Sequence, residues 1–225
     1  MENAYYKEWF VIDFVNLNIE SENEFVFFLN KWMPDYYSKR NENSLFLLKM
    51  LQEVEPNANA FDRELIPAIT KKRKRFIKFQ KEMQDFIIDF NKMADQNSKQ
   101  PQPGYFKYIQ IVSKEKIPKL NKKLSGIHYK IQDETLPNYT FAQVIVPNLV
   151  DFETCLYYNF IQYVNTHHSV LVCAACDNYI SNPSPHQFAN AKRGYATIHK
   201  NKQCQDEYRL RKDRERKRNK KGDNK

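Results

Sequence analysis

Glycine is scarce in this 225-residue chain: only Gly104, Gly126, Gly194 and Gly222 occur. None sits in G-x-G-x-x-G or G-x4-G-K-[ST], so no glycine-rich phosphate loop can be built and the common nucleotide-binding enzymes are argued against. Long apolar runs are missing as well. None approaches the ~20 residues of a membrane span. The opening residues, Met1-Glu-Asn-Ala-Tyr-Tyr-Lys-Glu, have neither the basic nor the apolar region of a secretory signal. Cysteine is limited to Cys155, Cys173, Cys176 and Cys204. A C-x2-C pair without a secretory signal reads as metal-binding in a reducing cytosol, not as a disulfide framework. A cytoplasmic protein is the expectation.

What is present is enough for a globular core: 41% of the chain is hydrophobic and 14% is aromatic. The formal charge is +9, and its placement carries more information than its size. From Lys192 to the end, 14 Lys/Arg face 5 Asp/Glu, whereas residues 1–191 hold 22 of each. The entire excess lies in the last 34 residues. A neutral body with a basic terminus points to a polyanionic partner for that terminus.

Residues 9–17 (Trp-Phe-Val-Ile-Asp-Phe-Val-Asn-Leu) form an apolar run that fits either a buried strand or a buried helix. Asp13 and Asn16 within it, like His128 further on, read as satisfied structural polar groups, because no spacing ties them into an acid–base pair. Ser21-x-x-Glu24 predicts a capping box opening a helix that buries Phe25, Phe28, Leu29 and Trp32 and stops before Pro34. A second helix is expected from about Ser44 to Val54. Ile69, Phe76, Phe79, Met83, Phe86, Ile87, Phe90 and Met93 recur at helical spacing, predicting one long amphipathic helix from Pro67 to about Met93. The run Lys71-Lys-Arg-Lys-Arg75 then lies inside it as a solvated face. A polar connection follows from Asp95 to Gly104. Alternation predicts a small antiparallel sheet between about 105 and 146, its strands at Tyr105–Val112, around Ile127–Ile131 and at Phe141–Val146. A helix after Pro147 carries Leu149, Phe152, Leu156, Phe160 and Val164, with Cys155 beside that stripe as a buried small residue.

The chemistry concentrates between Cys173 and Cys204. Cys173-Ala-Ala-Cys176 and His199-x4-Cys204 are two short-spaced pairs at the ends of a polar loop, the arrangement that a tetrahedral zinc ion requires. Ser169–Cys173 reads as a short strand feeding the first pair, and the second pair stands at the start of a helix running to about Arg218. This is the layout of a treble-clef-like finger. His186 competes with His199 for the fourth position; His199 is preferred on spacing. Free buried thiols or a redox C-x-x-C are the alternatives, but a redox pair belongs after a strand in a βαβ unit, which is missing here. Four protein ligands leave no open position, so the zinc is expected to be structural, not catalytic. Beyond Leu210 the helix has no apolar residue and so must project into solvent or onto a polyanion.

The chain resembles the bacterial CGNR zinc-finger proteins, which join an ABATE-type helical domain to a C-terminal finger. Ile12-Asp-Phe-Val-Asn-Leu17 is similar to that family's opening Leu-Asp-Phe-Val-Asn-Thr, and His199-x4-Cys204 has the spacing of its second Cys-x4-Cys pair, followed by an Arg-rich helix. The naming motif reads Cys204-Gln-Asp-Glu207 here, and His199 replaces a family cysteine. The resemblance implies a non-enzymatic, DNA-binding transcriptional regulator.

The expected fold is therefore mainly α with a small antiparallel β element, in two parts. Residues 1–168 form a helical, ABATE-like domain that senses a ligand or forms a homodimer. Residues 169–225 form a finger in which Cys173, Cys176, His199 and Cys204 hold Zn²⁺. Lys200, Lys202, Arg209, Arg211, Lys212, Arg214 and Arg216 are the expected phosphate contacts, with DNA favoured over RNA and no membrane partner. The alternative is a zinc-stabilised protein-interaction or RNA-binding module.

Overall fold

Residues 9–17, which the periodicity leaves between strand and helix, form a helix, α1 (Phe10–Asn16), with Phe10, Val11, Ile12, Phe14 and Val15 all buried. A helix with apolar residues all round belongs at the centre of a core, where its terminal amides and carbonyls cannot reach water. Side chains from elsewhere supply the missing partners. The Val11 amide donates to Asn159 Oδ1 at 3.0 Å. At the other end, Gln80 Nε2 donates to the carbonyls of Phe14 and Leu17, and Gln84 Nε2 donates to that of Val15. Tertiary capping decides the conformation that the local pattern does not.

The computed structural model describes residues 9–33, 42–59, 63–96, 117–125, 127–135, 141–167 and 170–222. After α1 comes α2 (Glu22–Trp32), which buries Phe25, Phe28, Leu29 and Trp32 as the spacing predicts. Half of its expected capping box forms: Ser21 Oγ accepts from the Glu24 amide. The Glu24 carboxylate instead accepts from Asn18 Nδ2, and the Ser21 amide bonds to the Asn18 carbonyl. Helix α3 (Glu42–Gln52) contributes Phe46, Leu47, Met50 and Leu51.

The single long helix expected from Pro67 is interrupted. Helix α4 (Ile66–Lys71) gives way to a 3₁₀ segment (Arg73–Phe76) before α5 (Ile77–Gln96). The basic run sits at the break instead of on a continuous outer face. Lys72 leaves the α-helical region and its Nζ donates to the Val54 carbonyl at 2.9 Å and to Glu55 at 2.8 Å. Arg73 donates to the carbonyls of Thr70 and Glu20 and pairs with Glu22. Two of the five cations thus tie down the ends of neighbouring helices. The apolar stripe keeps its register across the break: Ile69, Phe76, Met83 and Ile87 are buried, with Phe79, Phe86 and Phe90 packed against the same core.

Helix α6 (Ile117–Leu124) precedes β1 (His128–Thr135) and β2 (Phe141–Asn148), an antiparallel pair in which Ile131 stands opposite Ile145. The strand expected at Tyr105–Val112 lies outside the described residues. Helix α7 (Phe152–His167) then runs along the core. Its rings meet those of α5 edge to face, Phe86 against Tyr157 at 5.3 Å and Phe90 against Phe160 at 5.5 Å, the geometry aromatic quadrupoles favour. Cys155 is buried on this helix, and burial pushes its thiol far above the ordinary range, so it behaves as a small apolar residue.

From Leu171 onward a second, smaller apolar cluster takes over: Leu171, Cys173, Ala175, Ile180 and Cys204, with Phe188, Ile198 and Tyr208 against it. Its elements are a two-stranded turn bridged at Val172 and Tyr179, helix α8 (Pro185–Lys192) and helix α9 (Lys202–Gly222). The stretch expected to be a polar loop therefore contains a helix. Its signal is Ser184-Pro-x-Gln187, a complete capping box with proline in the first turn.

Candidate metal centre

Cys173 and Cys176 sit in the turn between the two short strands. The turn is closed by bonds from the Cys173 amide to the Asn178 carbonyl and from the Asp177 amide to the Cys173 carbonyl. Asp177 takes a positive φ of 60° there, a conformation that aspartate tolerates better than most residues. Cys204 lies in the first turn of α9, which Asn201 caps by accepting the Cys204 amide at 2.8 Å. The helix accordingly begins at Lys202, directly after that cap.

These elements bring four donors together. The ligand atoms of Cys173, Cys176, His199 and Cys204 all lie within 4.8 Å of one another. His199 Nδ1 is 3.4 Å from Cys176 Sγ and 3.7 Å from Cys204 Sγ. Bonds of about 2.3 Å to sulfur and about 2.0 Å to nitrogen, at a tetrahedral angle, separate the two donors by about 3.5 Å. The group fits one tetrahedral metal ion, and the donor set is of the kind that binds soft or borderline cations. His199 is the histidine of the cluster. His186, its competitor, is exposed on α8, where its ring is 3.4 Å from the Asn190 side chain.

The electrostatics also suit a cation. Burial raises the Cys173 thiol, but the amides of His199, Cys176 and Ala175 and a bond from Cys176 outweigh it and hold the pKa near 6. One of those bonds is His199 N–H to Cys173 Sγ at 3.3 Å. Cys204 moves the other way, to about 11, through burial, its hydrogen bonds with the other two thiols and their negative charge. Three neighbouring sulfurs cannot all ionise unaided, and a divalent ion removes that obstacle.

Around the cluster the chain makes contacts that ligand spacing does not reveal. Ala174 donates its amide to the Thr197 carbonyl at 2.8 Å, while Thr197 Oγ1 donates to the Val172 carbonyl. Arg211, one turn of helix beyond Tyr208, donates from Nη1 to the Ala174 carbonyl and from Nη2 to the Ala175 carbonyl, both at 2.8 Å. Of the seven expected phosphate contacts, Arg211 is the one held against the metal turn. Lys212 pairs with Glu215 at 2.7 Å and Arg216 lies 3.9 Å from Asp213. Lys200, Lys202, Arg209 and Arg214 are exposed, and so are all the residues from 209 to 218.

Two asparagines hold this unit to the larger core. Asn16 donates from Nδ2 to the Tyr179 carbonyl at 2.7 Å and accepts the Tyr179 amide at 2.9 Å. Asn91 does the same for Val170, donating at 2.9 Å and accepting at 3.3 Å. Each mimics a neighbouring strand. Asp13, the other polar residue of α1, pairs with Lys31 at 2.6 Å. Both are structural, as the sequence reading expects. The ring of His167 stacks on Phe188 at 5.5 Å, adding an apolar contact across the same junction.

No family model, no curated protein and no solved structure matches the chain. The site's own geometry therefore carries the functional argument. No helix among the described residues is long and apolar enough to cross a membrane.

Proposed function

We propose that this is a non-enzymatic, zinc-binding nucleic-acid-binding protein, with duplex DNA as its partner and transcriptional control as its role. The observation that carries the reading is the position of Cys204: a ligand of the Cys3His cluster lies in the first turn of a 21-residue helix that is basic over its outer half and exposed from Arg209 to Arg218. Zinc is the ion of choice because a closed set of three thiolates and one imidazole is a characteristic structural zinc shell. With four protein ligands there is no room for an activated water, so the ion would hold the fold and do no chemistry.

The helix has no apolar face beyond Leu210 with which to pack on a core. Its cations match a phosphate backbone, and binding would be driven by release of condensed counterions. Metal analysis of the freshly purified, reduced protein should find one zinc per chain, and none in Cys176→Ala. Duplex binding should then weaken steeply with salt, by about 10³–10⁵ between 50 and 200 mM if six to ten phosphates are contacted. A flat salt response, or no binding at low salt, sinks the DNA reading. Capture of a protein partner that survives nuclease treatment would replace it with an interaction module.

A further inference from the structure

Between Asp177 and Asp206 the chain contains no acidic residue, yet it carries Lys192, Arg193, Lys200 and Lys202. Within this stretch stands Tyr195, 64% accessible. Phe27 is the one other aromatic ring among the described residues exposed to a comparable degree, and it lies on α2, far along the chain and outside the basic region. Lys192 and Arg193 precede Tyr195 and are exposed with it.

The backbone on either side of that ring is pinned. Gly194 takes φ 77°, the left-handed conformation that closes α8, and its amide bonds to the Ala191 carbonyl. The Tyr195 amide bonds to the Asn190 carbonyl at 2.9 Å. Two residues later Thr197 is fixed to Val172 and Ala174, and the Ile198 carbonyl accepts from Gln187. A solvent-facing tyrosine is thus held on both sides by backbone bonds.

Its place relative to α9 follows from Ala174. That residue's amide holds Thr197 and its carbonyl holds Arg211. Tyr195 is two residues from Thr197, at most about 7 Å along the backbone. The tyrosine loop and the basic helix are therefore both tied to one residue of the metal turn.

We propose that Tyr195 is a stacking platform for one unpaired nucleobase, with Lys192, Arg193 and the α9 cations on the flanking phosphates. Exposed aromatics among cations are the recognition chemistry of single-stranded nucleic acid, since every base has a π-face and few other ligands combine that face with regular phosphates. The inference rests on the nucleic-acid reading above and sharpens it: the finger takes an opened or single strand in addition to backbone contact.

The test uses the metal-loaded full-length chain at low salt. The probes are oligo-dT and oligo-U strands of about 16 nucleotides and a DNA duplex of equal length, read by fluorescence anisotropy. Tyr195→Ala should weaken binding to one or both strands by about 5- to 150-fold, Tyr195→Phe should restore it, and duplex affinity should stay the same. The strand that responds identifies the sugar. The exposed ring leaves folding intact, which zinc content and circular dichroism of each variant verify. If both strands bind but Tyr195→Ala matches wild type, or if Tyr195→Phe is as weak as Tyr195→Ala, stacking is overturned while the nucleic-acid reading stands. If neither strand nor duplex binds the wild type, both fall.

Discussion

Asn16 commits both ends of its amide to the backbone of Tyr179, 163 positions away, and Asn91 does likewise for Val170. Leaving such half-buried groups unmatched costs about 1–3 kcal/mol. Asn16→Ala should therefore lower the stability of the folded chain by that amount in urea unfolding. It should also raise amide exchange locally at 170–180 and leave zinc stoichiometry unchanged. Arg211 poses a sharper question, because it was expected on phosphate and is found on the carbonyls of Ala174 and Ala175. Arg211→Gln loses a two-pronged, charge-assisted contact worth about 1.5–3 kcal/mol, so zinc should transfer to a competing chelator roughly 10–100-fold faster. Arg214→Gln should behave oppositely, with normal zinc retention and reduced salt-dependent nucleic-acid affinity. Equal chelator kinetics in the two variants would leave Arg211 without a role at the metal turn.

At the scale of elements, helix α1 is the most sensitive. Phe14 is fully buried and meets Phe28 and Phe152 at ring separations of 6.1 and 5.3 Å. Phe14→Ala should cost about 3–5 kcal/mol in denaturant unfolding, since it removes a large side chain from a packed ring cluster. Helix α9 is the reverse case, exposed from Arg209 to Arg218. Ending the chain after Lys212 keeps Cys204, Tyr208 and Arg211, so metal content should remain at one per chain while nucleic-acid binding weakens and its salt dependence flattens, the outer cations being gone.

These same elements show what could be read from sequence. The faces of α2 and α5 were legible because a stripe at three- and four-residue spacing survives even a 3₁₀ interruption. The interruption at Lys72 was not, because it depends on partners at Val54, Glu55, Glu20 and Glu22 supplied by folding. The helical state of residues 10–16 was ambiguous for the same reason: Asn159, Gln80 and Gln84 decide it from a distance. Helix α8 is different, since Ser184-Pro-x-Gln187 is a local helix start set within a composition of Asn, Ser and Pro that reads as loop. The four metal donors were legible because ligand spacing is a local property. The clamps that orient them were not, because an asparagine that mimics a strand has no sequence signature.

For the molecule as a whole, two apolar clusters of unequal size share a junction of polar clamps and one stacked ring pair. The larger contains the tightly packed aromatic core; the smaller has few buried side chains beyond the metal donors themselves. Structural zinc contributes roughly 10–16 kcal/mol of apparent folding free energy in small fingers. Chelation should therefore melt residues from about 171 onward, lowering helical circular dichroism by the share of α8 and α9, while the larger core still unfolds cooperatively in denaturant. A single transition for metal-loaded and metal-stripped protein alike would show that the smaller unit stands without its ion.

Helix α9 is about 31 Å long at 1.5 Å per residue, and its grip on the rest of the chain spans Cys204 to Arg211, about 10 Å. Mechanically it is a lever clamped within its first half. A tilt of about 10° at the clamp swings the far end, about 16 Å beyond Arg211, through roughly 3 Å, nearly a nucleotide step along a strand. Aim at the tip is thus magnified from the fit of three side chains at the base. Slack of a few tenths of an ångström there would be felt as lost register along the polyanion long before any cation was removed.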